Sequence, residues 1–116
     1  MDIRKAALTA VCLLATPASA DPISGYVSAN GVPLVASSRY FVIHRGIGHY
    51  DIQFTTPMEP SASCVITPVL KPKLASKAPY VRKLAESSTH CLFNLLTSGG
   101  GHSDIDFSFI ATPMSN

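Results

Sequence analysis

The sequence predicts an all-β protein, an antiparallel β-sandwich of about seven short strands with one disulfide. Two stretches of alternating apolar and polar residues carry this prediction, because alternation places the apolar side chains on one face of a strand. Turn signals recur between short apolar runs, and no stretch has a convincing helical period. The alternating apolar residues, expected to face one common core, are Tyr50, Ile52, Phe54, Ile105, Phe107 and Phe109.

The first 20 residues have the features of a secretory signal peptide. Arg4 and Lys5 give a charged start, residues 6–15 form an apolar segment, and Ala18-Ser19-Ala20 matches the A-x-A cleavage pattern. A membrane anchor is the alternative, but this segment is too short, because a spanning helix needs about 20 apolar residues. We therefore expect a cleaved signal, a secreted or periplasmic protein, and no transmembrane segment after cleavage.

The mature chain, residues 21–116, has the size of one small domain. It carries 7 basic and 6 acidic residues, a net charge of +1 with the histidines neutral. A surface so close to neutral argues against nucleic acid as the main partner. The whole sequence is 47% hydrophobic and 14% charged, a composition that excludes an intrinsically disordered chain.

Cysteine usage predicts a disulfide. Cys12 lies in the predicted signal, so the mature chain keeps the pair Cys64 and Cys91. Exported proteins meet an oxidising environment, in which such a pair forms a bond. Two free buried thiols are the alternative; a metal site is less favoured, because no CxxC or HxxxH spacing accompanies the cysteines.

The mature chain opens with an expected hairpin. Asn30-Gly31 separates apolar runs at 25–29 and 32–37, which predicts a type I′ turn with positive φ at both central residues. Pro33 favours an edge position for the second arm. The further expected strands are Tyr40–His44, Tyr50–Phe54, Ser63–Leu70, His90–Thr97 and Ile105–Ala111.

Two of these strands carry additional expectations. The continuous apolar run within Tyr40–His44 suits a strand that is buried on both faces or changes neighbours. Pro68 predicts a bulge or an edge position for its strand, because proline cannot donate to a sheet ladder. Ser98 to Ser103, rich in glycine, is expected to be a flexible connection into the final strand.

Residues 71–89 show no clear period and are expected to form a long basic loop, with at most one helical turn at Tyr80–Glu86. Loops of this length in a compact domain are usually functional or mobile. Basic residues beside an aromatic suit an anionic partner such as lipopolysaccharide or an acidic glycan; a merely solubilising loop is the alternative. The candidate partner-binding residues are Lys71, Lys73, Lys77, Tyr80, Arg82 and Lys83.

The strand order and two local patterns resemble the small C-terminal β-domains of phage tail-fibre proteins and of secreted collagen-like bacterial proteins. Residues Arg45–Met58 are similar to G-x-G-x-Y-x-I-x-F-x-x-P-M, and Asp104–Ala111 to D-x-x-F-S-F. The resemblance covers most of the mature chain. It implies a module that is often trimeric and contacts cell-surface glycans or proteins. In that family the module follows a long stalk, whereas here we expect it to follow the signal directly.

Four histidines raise a metal hypothesis, because imidazole is a common metal ligand. His44 and His49 could meet across a hairpin, but a glycine turn separates them and no carboxylate has a matching ligand spacing. His90 and His102 belong to other segments. We therefore favour solvated histidines at strand edges and predict neither a metal site nor a cofactor.

Catalytic patterns are weak. His102-Ser103-Asp104 contains the residue types of a hydrolytic triad, but such groups normally converge from distant positions in the chain. The chain contains no G-x-S-x-G motif, and Gly99–Gly101 lacks the Lys-Ser/Thr of a phosphate-binding loop. Asp104 and Asp106 share one face of a strand, where a solvated surface is favoured over a calcium or acid–base pair.

The sequence therefore favours an exported, non-enzymatic binding module for a cell-surface glycan or protein, which the resemblance suggests could be a homotrimer. A small secreted or periplasmic inhibitor or accessory protein is the alternative. A metal-dependent hydrolase is the third and least favoured possibility.

Overall fold

The computed structural model describes residues 21–69 and 77–114. Within these ranges the protein is all-β, with two antiparallel sheets, no helix and a Cys64–Cys91 disulfide. The strands are β1 Ile23–Val27, β2 Tyr40–Gly46, β3 His49–Phe54, β4 Ala62–Pro68, β5 Pro79–Glu86, β6 His90–Thr97 and β7 Phe107–Pro113. The predicted fold class is thus confirmed.

The strands form a three-stranded sheet in the order β1-β7-β4 and a four-stranded sheet in the order β2-β3-β6-β5. β4 lies at an edge, as Pro68 predicts, and Pro68 is its last residue. β2 also lies at an edge, and Phe41 is 50% exposed, so the expectation that this strand is buried on both faces is wrong. No helix in the described ranges has the length and apolar character that a membrane crossing requires.

One core lies between the sheets and contains all six alternating residues that the sequence analysis singled out. Ile105 belongs to this core although β7 begins two residues later. The aromatic rings of Tyr50, Phe93 and Phe107 meet at its centre with centroids 4.9–5.7 Å apart. These three residues come from β3, β6 and β7, so their contacts join the two sheets.

The predicted hairpin at Asn30-Gly31 is only partly correct. The Gly31 amide donates to Ser28 O and the Ser28 amide to Val32 O, which closes a turn, but only Gly31 has positive φ. The turn is therefore not type I′; one left-handed glycine after the turn is the pattern of a longer hairpin loop. The second arm forms only an isolated bridge between Val27 and Pro33, because proline has no amide to continue the ladder.

The expected basic loop is wrong over Pro79–Glu86, which forms β5, and the alternative helical turn at Tyr80–Glu86 is wrong as well. β5 pairs along its length with β6 and has a bulge between Lys83 and Ala85. Residues 71–76, the rest of the basic segment before Lys77, lie outside the described residues.

Candidate functional site

β5 places two of the predicted partner-binding residues on one surface. Tyr80 is opposite Leu96, and Arg82 is opposite Asn94. On β6, Phe93 and Leu95 point into the core. Since successive side chains alternate between faces, Asn94, Leu96 and their β5 partners lie on the surface of the four-stranded sheet that faces away from the core. We call this surface the outer face.

Two histidines complete a group on the outer face. His49 of β3 is opposite Asn94, and His102 forms an isolated bridge with Leu96. The imidazole rings of His49 and His102 are stacked, with centroids 4.7 Å apart and planes inclined by 19°. Asn94 therefore has Arg82 on one side and His49 on the other. The outer-face cluster is defined as His49, Tyr80, Arg82, Asn94 and His102.

Asn94 is the unusual member of the outer-face cluster. Only 2% of the residue is exposed, and its Oδ1 is buried without a hydrogen-bond partner. A buried polar atom with no partner costs about 1–3 kcal/mol of folding free energy. No other buried side-chain nitrogen or oxygen of the described residues is in this state. Such an atom needs an explanation, and its position between Arg82 and His49 makes this surface the candidate binding site.

A satisfied carboxylate lies beside the cluster. Asp51 is 2% exposed and accepts hydrogen bonds from Arg45 Nε at 3.1 Å and Nη2 at 2.8 Å and from Gln53 Nε2 at 2.9 Å. His90 Nδ1 lies 3.1 Å from its other oxygen. Asp51 thus forms an ion pair with Arg45. No carboxylate among the described residues forms an ion pair with Arg82.

A second polar group fixes the turn that leads into His49. Asp104 Oδ1 accepts the Gly48 amide at 2.7 Å, lies 2.9 Å from His44 Nε2 and receives the Tyr50 hydroxyl at 3.3 Å. Gly48 has φ of 70°, and a Cβ there would lie 2.5 Å from Leu95 O. Only glycine fits this position. Asp104 therefore holds the turn from which β3 and His49 begin.

These contacts move two pKa values. Burial raises the pKa of the Tyr50 hydroxyl, and the nearby Asp104 carboxylate raises it further. Partial burial also acts to raise the pKa of Asp104, but the hydrogen bond from the Gly48 amide and the contacts with His44 and Tyr50 outweigh it. The pKa of Asp104 therefore lies below its ordinary value of 3.8. Tyr50 stays a neutral donor and Asp104 an ionised acceptor at neutral pH.

We expect stability to depend on Asp104 in a defined pH window. A carboxyl group whose pKa is lower in the folded than in the unfolded protein stabilises the fold above its unfolded pKa, about 3.9. This contribution is lost as the pH falls through the folded pKa. Urea unfolding of the protein and of Asp104→Asn should therefore differ by a constant amount above about pH 5 and converge below about pH 4. A difference that persists unchanged to about pH 2 would contradict this assignment.

The other predicted partner-binding residues are placed differently. Lys71 and Lys73 lie outside the described residues, and Lys77 is exposed just before β5. Lys83 Nζ donates to Cys64 O and to Glu86 Oε2, both at 3.0 Å, so its side chain is bound to β4. Because Lys83 already has these partners, its assignment to a partner-binding surface is not supported.

The remaining expectations for polar residues need correction. Every histidine has a ring or carboxylate contact, so none is simply solvated: His44 stacks on Tyr50 and His90 contacts Asp51. Asp104 is bonded as described above, and Asp106 Oδ1 accepts the Ala29 amide at 2.7 Å. The pair therefore stays partly exposed, as expected, but each carboxylate also has hydrogen-bond partners within the fold. The histidine that contacts Asp104 is His44 and not His102.

The described residues contain one group with metal-ligand geometry, Cys64, Glu86 and Cys91. Both sulfur atoms belong to the disulfide and cannot act as thiolate ligands. Glu86 instead accepts the Cys64 amide at 2.8 Å. The group therefore does not fit a metal ion.

A separate groove of about 630 Å³ lies beside β1 and β7. Tyr26, Val35 and Ile110 line it, with Tyr40 and Phe109 and several serines. None of its lining residues is charged, and the unpartnered Asn94 lies on the other sheet. The size suits a small ligand, but the buried acceptor without a partner among the described residues is on the outer face, so we place the candidate site there.

Comparisons with protein-family models, curated proteins and solved structures find no match for this chain. The resemblance to tail-fibre domains therefore stays a prediction that rests on strand pattern.

Sequence reasoning missed Asn94, His49 and His102 as members of one site. One signal was present, since Asn94 is the single polar residue within the apolar run of β6, CLFNLL. A lone amide in such a run is destabilising unless it has a partner. The sequence does not show which strands flank β6, so the neighbours of Asn94 could not be named.

Proposed function

We propose that this protein is an exported, non-enzymatic binding module that holds an acidic glycan on its outer face. The observation that carries the proposal is the outer-face cluster, in which an aromatic ring, an arginine with no ion pair to the described residues and a buried acceptor lie in adjacent rows of one sheet. The predicted signal peptide and the disulfide are consistent with export.

Two exposed members, Tyr80 and Arg82, each suit one part of such a ligand. Tyr80 is 45% exposed and offers an aromatic surface on which the apolar side of a sugar ring can pack. The Arg82 guanidinium can bind a carboxylate or sulfate with two parallel hydrogen bonds. The strands fix the backbone positions of these residues, so only their side chains are ordered on binding.

The homotrimer implied by the tail-fibre resemblance forms part of this proposal. Three copies of a weak site gain apparent affinity when one extended polymer or surface engages them together. Light scattering of the purified protein tests the trimer by its mass.

Binding to oligogalacturonate, an acidic oligosaccharide, tests the function by isothermal titration calorimetry, with neutral dextran as the uncharged control. We expect binding to oligogalacturonate only, weaker at high salt because exposed charges are screened. Arg82→Ala and Tyr80→Ala should each lower the affinity by about tenfold or more, the value of one charge-assisted or aromatic contact.

Lys77→Ala is the matched control, because it removes an equal charge from an exposed residue outside the outer-face cluster. We expect it to change the affinity by less than about threefold. Equal losses in Lys77→Ala and Arg82→Ala would indicate unspecific charge attraction. No binding of oligogalacturonate by the unmodified protein would reject the function proposed here.

A further inference from the structure

We propose that Asn94 Oδ1 accepts a hydrogen bond from a hydroxyl group of the bound glycan, so that the site selects an acidic sugar that also carries a free ring hydroxyl. This inference rests on the function proposed above and names the chemical group of the ligand that the site recognises. It comes from the one buried side-chain acceptor without a partner in the described parts of the chain.

The position of Asn94 directs its side chain to the ligand side of the sheet. Phe93 and Leu95, its neighbours in β6, are fully buried in the core. Asn94 therefore lies on the outer face, where its row neighbours are His49 and Arg82. An apolar β-branched residue would suit a central strand better, yet an amide stands here.

The side chains that cover Asn94 belong to the outer face, because the residue points away from the core. Arg82 is the longest of its row neighbours, is exposed, and is held by no ion pair within the described ranges. Oδ1 is buried, so a ligand reaches it only when an outer-face side chain moves, and Arg82 is the row neighbour that an acid group would draw away. Binding of the acid group by Arg82 and access to Oδ1 are then two results of one side-chain movement.

The chemistry of the acceptor restricts what can bind there. A carbonyl oxygen needs a donor, which carboxylate and sulfate oxygens cannot supply at neutral pH. A sugar hydroxyl can supply it. A site with a buried acceptor discriminates strongly against an analogue that lacks the donor, because the acceptor then stays unpaired in the complex. Arg82 and Asn94, adjacent across the strands, thus fit an acid group and a ring hydroxyl of one acidic oligosaccharide.

A two-by-two experiment tests this inference by calorimetry. The ligands are oligogalacturonate and its 2,3-di-O-methyl ether, which keeps the acid groups but cannot donate from those positions. The proteins are the unmodified chain and Asn94→Leu. We expect methylation to weaken binding to the unmodified chain about tenfold, the value of one hydrogen bond. Binding to Asn94→Leu should already be about tenfold weaker and should not change on methylation.

The outcomes separate the two proposals. If methylation weakens binding to both proteins equally, the donor meets another group and the role of Asn94 is rejected, while the glycan-binding function stands. If the unmodified chain binds neither oligosaccharide, both proposals are rejected. If poly-L-glutamate binds as tightly as oligogalacturonate, the ligand is an acidic peptide, whose amide groups would be the donors, and the sugar assignment is wrong.

Thermal unfolding distinguishes a binding role from a structural one. Asn94→Leu removes an unpaired acceptor, so its melting temperature should equal or exceed that of the unmodified chain. If Asn94→Leu does not fold, the amide has a structural role, and the inference is decided by the methylated ligand on the unmodified chain: equal affinity for the two oligosaccharides rejects it.

Discussion

Replacement of Phe107 by alanine is expected to lower the free energy of unfolding by about 3–5 kcal/mol. Phe107 is fully buried and packs edge-to-face against Phe93, with centroids 5.1 Å apart, and against Tyr50, at 4.9 Å. Removal of its ring therefore leaves a cavity between the two sheets, which adds to the lost transfer free energy. Urea unfolding followed by circular dichroism measures the change.

Ile110 of the same strand is the matched control, since it is 53% exposed on the other face of β7. Ile110→Ala should cost less than about 1 kcal/mol, as surface substitutions usually do. If the two variants lose equal stability, Phe107 does not form the centre of the core.

Loss of the disulfide is expected to have an effect of similar size. The bond between Cys64 and Cys91 links β4 of one sheet to β6 of the other, across a sequence separation of 27 residues. Closure of a loop of that length constrains the unfolded chain by about 3.5 kcal/mol on the chain-entropy relation. The free energy of unfolding of a small domain is about 5–15 kcal/mol, so the disulfide contributes a large share of it.

The double variant Cys64→Ala/Cys91→Ala should therefore unfold at a much lower urea concentration than the unmodified protein. Mass spectrometry of the oxidised protein after alkylation under denaturing, non-reducing conditions provides the direct check. Two alkylated thiols on Cys64 and Cys91 would show that the bond does not form in the isolated protein.

The sequence predicted the two sheets' core because local alternation is sufficient to orient a strand. The alternation alone identifies the inward face of a strand, even when its neighbouring strands are not known. This holds for Ile52 and Phe54 and for Phe107 and Phe109. β5 could not be recognised in this way. Its inward positions include Lys83 and Glu86, which bind the backbone of Cys64 instead of filling the core. Because these inward residues are polar, β5 lacks the alternation of apolar and polar residues from which a strand is predicted.

The candidate site was less predictable than the fold, because it depends on register. Tyr80 and Arg82 were singled out from composition, but their position beside Asn94 follows from the pairing of β5 with β6. A shift of one residue in that pairing would turn both side chains to the other face. His49 and His102 reach the same surface from separate segments, whose contact the sequence does not encode locally.

The central place of β7 in its sheet has a consequence for how the protein folds during synthesis. Among the described residues β7 is the last strand in sequence; it pairs with both β1 and β4, and every strand of the four-stranded sheet precedes it. The four-stranded sheet can thus form before β7 is in place. Until then the edges of β1 and β4 that pair with β7 stay unpaired. Contacts over such long separations form slowly, and unpaired edges associate with other chains. The unfolded chain is therefore most prone to aggregation while β7 is not yet paired with β1 and β4.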